Sequence, residues 1–596
     1  MAESPGKNAG RLVSFTIYSE GSKINEAYEL TSISVISEVN RIGSATLEFQ
    51  AGNMPEKDFP LSNDDTFKPG KSIKIDAGYE SEEETLFEGL IISHGLRLPS
   101  TGDTLLVVEC RDLAVKTTAG RKNAVYEKMK DSDVISKILG SYGGLSTEVG
   151  ATSITHKELI QYYSSDWDFI LSRADVNGLV VISNGKKVSV KVPDVKAEAV
   201  LKITFGEDLI DFSGEVDARD QYEAVQAVGW DPATQKVLTA DGSAPELNKQ
   251  GNLSQSDLAG VMDVDKFVLQ AGIPLEKGVL KNWADALLLK FGLSRFRGKL
   301  SFLGSAKVTP GSILEVDGLG KRFNGKVYVG AVTHWISGGD WKTEVGLGIS
   351  PEFITDRENV ICSPASGLLP GIEGLQIGKV SKLDGDPDNE SRIQVEIPIL
   401  NGDINTVWAR LSNFYGTNQS GNFFLPEIDD EVILGFFNND PRYPVILGSL
   451  YSSKNTPPYK QEAANNTKAI VTREKMKIEF DEEKKVINIA TPGKNQIVIS
   501  DDAKGIKLSD QNNNVIEMDD QGISLTSAKD ITLKANSKIV LNATSDVQIK
   551  SSTNVDLKGL NVQASADTGL TMKGNATAEL SASGQTTVKG AMVMIN

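Results

Sequence analysis

Along residues 531–558, ITLKANSKIVLNATSDVQIKSSTNVDLK, apolar residues come in pairs with one residue between the two members: Ile531 and Leu533, Ile539 and Leu541, Val547 and Ile549, Val555 and Leu557. A spacing of two places both members on one face of an extended strand. The pairs recur every eight residues, with Lys, Asp, Asn, Ser and Thr filling most positions between them. Ile523/Leu525 begins this regime. Upstream, Ile478/Phe480, Ile487/Ile489, Ile497/Ile499, Ile506/Leu508 and Ile516/Met518 are spaced by nine or ten residues, which leaves room for turns such as TPGKN, DDAKG and QNNN and predicts a meander. Downstream, one seven-residue step at LKGLN shifts the frame, and Val562/Ala564, Leu570/Met572, Ala578/Leu580 and Thr587 beside Val588 carry a weaker repeat.

Two inward residues per short strand cannot enclose a core within one chain of this length, because repeat coils need neighbours on every side. A single-chain parallel β-helix is the rival: at about 24 residues per coil, the tract 523–588 gives fewer than the roughly three coils such a fold needs. Three identical chains wound together put three apolar pairs at every level and cover each strand edge. The pattern therefore predicts a trimeric prism whose core is Ile523, Leu525, Ile531, Leu533, Ile539, Leu541, Val547, Ile549, Val555 and Leu557.

The rest of the chain is also mainly β. Residues 11–110 show short alternating runs (LVSFTIY, ATLEFQ, SIKIDAGY) broken by Gly, Pro and Asn/Asp clusters, as in a barrel or sandwich. In SSDWDFILSRADVNG, Ser165 is placed to cap a helix, Trp167, Ile170, Leu171 and Ala174 share a face, and Gly178 stands at its stop. Trp167 on that stripe reads as core rather than a ligand platform. Residues 206–355 return to β patterning around a helical stretch, LKNWADALLLKFGL, and 361–376 is a Ser/Pro/Gly-rich connector. Five or six strands in 376–452 predict a small barrel of the OB type.

Charge narrows the function. The chain has 80 acidic and 62 basic residues, a formal net charge of -18, and the OB span alone has eleven acidic against five basic residues, so nucleic-acid binding is disfavoured. No run of eighteen apolar residues occurs, and MAESPGKNAGRLV has no signal-peptide core, so the expectation is synthesis in the cytoplasm. Cys110 and Cys362 fit no metal spacing and read as buried thiols, and His94, His156 and His334 are isolated. Asp429, Asp430 and Glu431 read as turn acids rather than a glycosidase pair, GLGKRFNGK lacks the phosphate-loop Gly-Lys-Ser/Thr, and no nucleophile elbow is present. The expectation is no catalytic residue, no cofactor and no metal.

The run WARL…GNFFLPEIDDEVILGFFNNDPRYPVILGSLY, then TREKMKIEFDEE and the octad tract ending TTVKGAMVMIN, resembles the VgrG family, the spike proteins of type VI secretion and related contractile injection systems. Trp408, Ala409, Arg410, Pro426, Asp430, Glu431, Asp440, Pro441, Pro444 and Gly448 match the family's barrel signature as fold-defining positions. The resemblance implies β-barrel hub domains with a small α/β insertion, an OB barrel and an intertwined triple-stranded β-helix. The expected domains are a hub barrel's first part (1–110), an α/β middle domain (111–205), a second hub barrel (206–360), a connector (361–375), an OB domain (376–455), a linker (456–470) and the spike (471–596). The implied function is a homotrimeric hub and spike that adapts a tail tube to a tip puncturing the target envelope, in an extracellular or cell-anchored particle. Implied partners are inner tube and baseplate proteins at the hub, effector cargo, transient contact with the target membrane, and a PAAR-type tip protein on Val593, Met594, Ile595 and Asn596. Fewer than about twenty residues separate barrel from prism and the chain stops at the last repeat, so neither an inserted lysozyme nor a terminal toxin is expected. The alternative is a carbohydrate-active parallel β-helix enzyme such as a polysaccharide depolymerase.

Overall fold

The structure, a computed structural model of one chain, describes residues 2–100, 103–357, 360, 362–400 and 405–595. Asn596, Asp403 and the first connector residue, Ile361, lie outside the described residues. The chain divides into two compact units, one ending at Ser449 and one beginning at Leu450.

A thirteen-stranded sheet dominates the first unit. Its hinge is the long strand Gly325–Ser337, whose first residues pair with Ile313–Asp317 and whose last pair with Leu30–Glu38. Between the two, at Gly330, the register against Asp340–Leu347 shifts. A Cβ on Gly330 would lie 1.8 Å from the Gly348 carbonyl oxygen, so only glycine lets the backbones approach this closely. The residue that breaks the ladder thus hands the strand from one set of partners to another.

Tyr79 and Trp341 show that the sheet is rolled. They belong to strands Ser72–Tyr79 and Asp340–Leu347, six spacings apart in sheet order, which in a flat sheet is about 29 Å at ~4.8 Å per strand. Their rings stack with centroids 5.4 Å apart, and the Tyr79 hydroxyl donates to the Gly304 carbonyl at 3.2 Å. Side chains close this barrel around Ile33, Leu47, Phe49, Ile75 and Ile91, with Ile336 and Trp341 completing the same core. A second core, including Leu201, Phe302, Val316, Val329 and Val345, lies on the other part of the sheet, and Ala199–Thr204 joins it by pairing parallel with Ile313–Asp317. The two β regions read from the sequence as separate barrels therefore share one sheet and one strand.

Between them sits an α/β layer. Helix Asp166–Asp175 begins where the Ser165 hydroxyl accepts the Asp168 N–H at 3.1 Å, and Gly178 follows it at φ 66°. Trp167, Ile170 and Leu171 are buried together with Val134 and Ile138 of helix Asp131–Gly140 and Val188 and Val190 of strand Lys187–Lys191. Helix Lys277–Ser294 covers one face of a three-stranded sheet through Leu280, Ala284, Leu288 and Phe291. Strands Gln376–Lys382, Ile393–Glu396, Thr406–Leu411, Pro444–Ser449 and Glu431–Phe436 close a five-stranded barrel on Val380, Val395, Ala409, Val432, Leu434 and Ile446.

The second unit is a seven-stranded antiparallel meander from Thr467–Val471 to Gly522–Thr526. After it the chain bends at 528–529, 536–537, 544–545 and 552–553, then at the single residue 560, then at 567–568, 575–576, 583–584 and 591–592. The eight-residue period and the one-residue shortening at LKGLN are thus both present in the backbone.

Candidate functional site

The first unit's buried polar groups fasten elements to one another. Asp131, at the start of its helix, accepts from Arg173 Nε at 2.7 Å and Asn177 Nδ2 at 2.9 Å, and lies 2.9 Å from His156 Nε2. Burial pushes the Asp131 carboxyl up, but these three partners outweigh it and hold it below its ordinary value. Lys290 donates to Asp175 at 2.9 Å, and burial lowers its pKa despite that partner. Asp112 accepts the Gly43 N–H at 3.0 Å, and burial drives its carboxyl up to about 7 against the pull of Ser183 and Gly43. His334, 3.0 Å from the Thr343 hydroxyl, is held at about 4 by burial. Among the described residues no three His, Cys, Asp or Glu side chains gather as a metal site. Cys110 is buried, with burial raising its thiol to about 12, whereas Cys362 is only half-buried, contrary to the expectation for both.

In the OB barrel the signature residues shape turns. Asp440 is buried and accepts from the Arg442 N–H at 3.0 Å and from its guanidinium at 3.0 and 2.7 Å, while Asn438 and Asn439 take φ of 51° and 57°. Asp430 accepts the Glu427 N–H at 2.9 Å, Asp429 pairs with Lys379 at 2.7 Å at φ 72°, and Glu431 enters the strand opposite Lys379. Asp429 and Asp430 thus shape the turn, whereas Glu431, expected there too, is the first residue of a strand, and Ala409 lies in the barrel core.

The feature with no counterpart in the first unit is the apolar face of the second. Strand register sets Ile478 opposite Ile489, Ile489 opposite Ile497, Ile497 opposite Leu508, Leu508 opposite Ile516 and Ile516 opposite Leu525. A parallel column runs through Phe480, Ile487, Ile499, Ile506, Met518 and Ile523. Two continuous apolar rows therefore cross the sheet, ending on Ile523 and Leu525, which are 74% and 54% exposed. Beyond them Ile531, Leu533, Ile539, Leu541, Val547, Ile549, Val555 and Leu557 are each more than half exposed, as are Met594 and Ile595, with Val593 half exposed. Asn596, the last residue of the expected tip site, lies outside the described residues. The meander is antiparallel, and among the described residues after Thr526 no strand pairs within the chain, neither of which suits a single-chain parallel coil. The sequence reading missed helix Asp131–Gly140, although Val134, Ile135, Ile138 and Leu139 carry its period, and with it the Asp131 cluster.

Comparison with known proteins places each part. The family described as the Alg8 N-terminal domain matches residues 9–338, the type VI secretion system/phage-baseplate injector OB domain matches 376–451, and the phage baseplate V C-terminal trimerisation domain matches 486–596. The actin cross-linking toxin VgrG1 of Vibrio cholerae is 34% identical over 97 residues, 15% of this chain and 9% of the relative. The type VI secretion system spike protein VgrG3 of the same species is 29% identical over 120 residues, 19% of this chain and 11% of the relative. The chain thus aligns with only about a tenth of the length of these two relatives. A solved E. coli component of the type VI secretion system, described as similar to bacteriophage T4 tail proteins, aligns over 73% of this chain and 99% of its own at 13% identity and TM-score 0.34. With the first family matched over more than half of this chain, the chain belongs to the Alg8 N-terminal domain family, and the injector OB and trimerisation domains that follow in order are what it has in common with VgrG spike proteins.

Proposed function

We propose that the protein is the homotrimeric hub and spike of a contractile injection machine, with the first unit facing the tube and baseplate and the second leading into the target envelope. The observation that carries this reading is the pair of register-aligned apolar rows that continues as octads and that one chain leaves uncovered. Three chains bury these rows against one another, and a strand network shared by three chains bends only when many hydrogen bonds break together. The work comes from contraction of other subunits, and this protein contributes stiffness rather than turnover. Its buried carboxylates, His334 and Lys290 serve as fasteners, which supports a non-enzymatic role. Met594 and Ile595, more exposed than any octad pair from Ile523 to Leu557, support a cover at the end of the repeat, and a PAAR-type tip protein once per trimer fits it. No helix among the described residues is long and apolar enough to cross a membrane, in keeping with contact that is transient. The test is electron microscopy of contractile particles from the producing cell. Three copies of this chain are expected at the tapered end of the tube, and loss of its gene is expected to leave tubes without a spike. Particles that assemble with an intact spike in its absence would overturn the assignment.

A further inference from the structure

The OB barrel has two apolar surfaces that its own chain leaves open. Between strands Thr406–Leu411 and Glu431–Phe436 a short hairpin pairs Gly416–Thr417 with Ser420–Gly421. Phe414, Tyr415, Phe423 and Phe424 flank it at 90%, 56%, 84% and 58% exposure. The frame is fixed: the Asn422 N–H donates to the Tyr415 carbonyl at 2.9 Å, and at Gly421, φ 143°, a Cβ would come within 2.7 Å of that oxygen. The run NFYGTNQSGNFFLP, residues 413–426, contains no charged residue in a chain that is 24% charged. On the outer wall of the barrel, Leu375, Ile377 and Leu447 are also exposed. A Cβ on Gly435 would lie 3.4 Å from Leu447 Cδ1 and 3.9 Å from Leu375 Cδ2, so these two side chains flank a dip floored by glycine.

Four aromatic rings of about 150–250 Å² each, at these exposures, offer on the order of 500 Å² of apolar surface, against about 800 Å² per partner in an ordinary interface. Copies of a chain with net charge -18 repel one another, which favours contact through a charge-free surface. The trimerisation domain matched over 486–596 brings three barrels to one axis, and only residues 450–466 separate strand Pro444–Ser449 from strand Thr467–Val471. At the resulting effective concentration a modest contact forms. We propose that the aromatic hairpin of one chain docks in the aliphatic dip of the next chain's barrel, a head-to-tail contact that closes on the third copy. This rests on the trimeric reading above and adds a second, separate interface to it.

The test uses full-length protein carrying Cys362→Ser with Phe423→Cys and Leu447→Cys, oxidised and compared by sedimentation and non-reducing electrophoresis. A second pair, Tyr415→Cys with Ile377→Cys, guards against one pair failing on geometry. The expected result is a chain that sediments as a trimer and runs as covalent trimer in at least one pair, while each variant with one introduced cysteine beside the buried Cys110 runs as monomer. Trimers without cross-links in both pairs, cross-links within one chain, or cross-links from Phe423→Cys alone would overturn the contact and leave the trimeric spike standing. A chain that does not sediment as a trimer would overturn both.

Discussion

The unit ending at Ser449 and the unit beginning at Leu450 use the same apolar residue types to opposite effect. In the first, six clusters of buried side chains are each enclosed by a rolled sheet, a closed barrel or a covering helix of the same chain. In the second, Ile, Leu, Phe and Met stand in continuous register across six strands, yet no apolar residue among those described is buried. Hydrogen bonding fixes which residues stand side by side, but a core also needs a second layer. Since burial is worth about 25 cal/mol per Å², the first unit collects its stabilisation alone, whereas the second collects it only from other chains.

The comparison can be broken at the octads. Leu541→Asp puts three carboxylates at one level of the inter-chain core, each costing several kcal/mol, and is expected to abolish the trimer by sedimentation while the first unit keeps its own melting transition. Within the first unit, Phe302→Ala removes a fully buried ring and is expected to cost about 3–5 kcal/mol. That loss, read by denaturant unfolding, should not depend on protein concentration, unlike the Leu541→Asp effect.

A pH series sharpens the same contrast. The Asp112 carboxyl is raised in the folded state from 3.8 to about 7, so the folded chain holds a proton that the unfolded chain has released. Its contribution is present at low pH and is lost as pH rises through 7, about 2–3 kcal/mol between pH 5 and 8. Asp112→Asn is expected to flatten that slope for the first unit and leave the spike's transition unmoved. Smallest of all, Lys538→Asp, one residue from Ile539 and so outward by the period of two, is expected to change stability by no more than about 0.5 kcal/mol. An effect as large as that of Leu541→Asp would show that the faces are assigned the wrong way round.

What could be read from the sequence was local. The Ser165 cap, the Trp167 stripe and the Gly178 stop lie within fourteen residues of one another and appear as expected, and the meander pairs follow from a period of two and the turn residues between strands. Long-range decisions left no such trace. Nothing near Gly330 announces that Gly325–Ser337 changes partners from Ile313–Asp317 to Leu30–Glu38, because the partner strands are hundreds of residues apart in sequence. The rolled closure at Tyr79 and Trp341 is hidden for the same reason. The aromatic hairpin did carry a signal, the charge-free run from Asn413 to Pro426, but a loop between two strands gives no period against which its aromatics stand out.

Whether the second unit has no core except between copies is read most directly by sedimentation equilibrium of the full-length chain across a hundredfold range of concentration. A single species of three times 64.2 kDa is expected throughout. A stable, folded species of 64.2 kDa with a spike segment that resists proteolysis would contradict it.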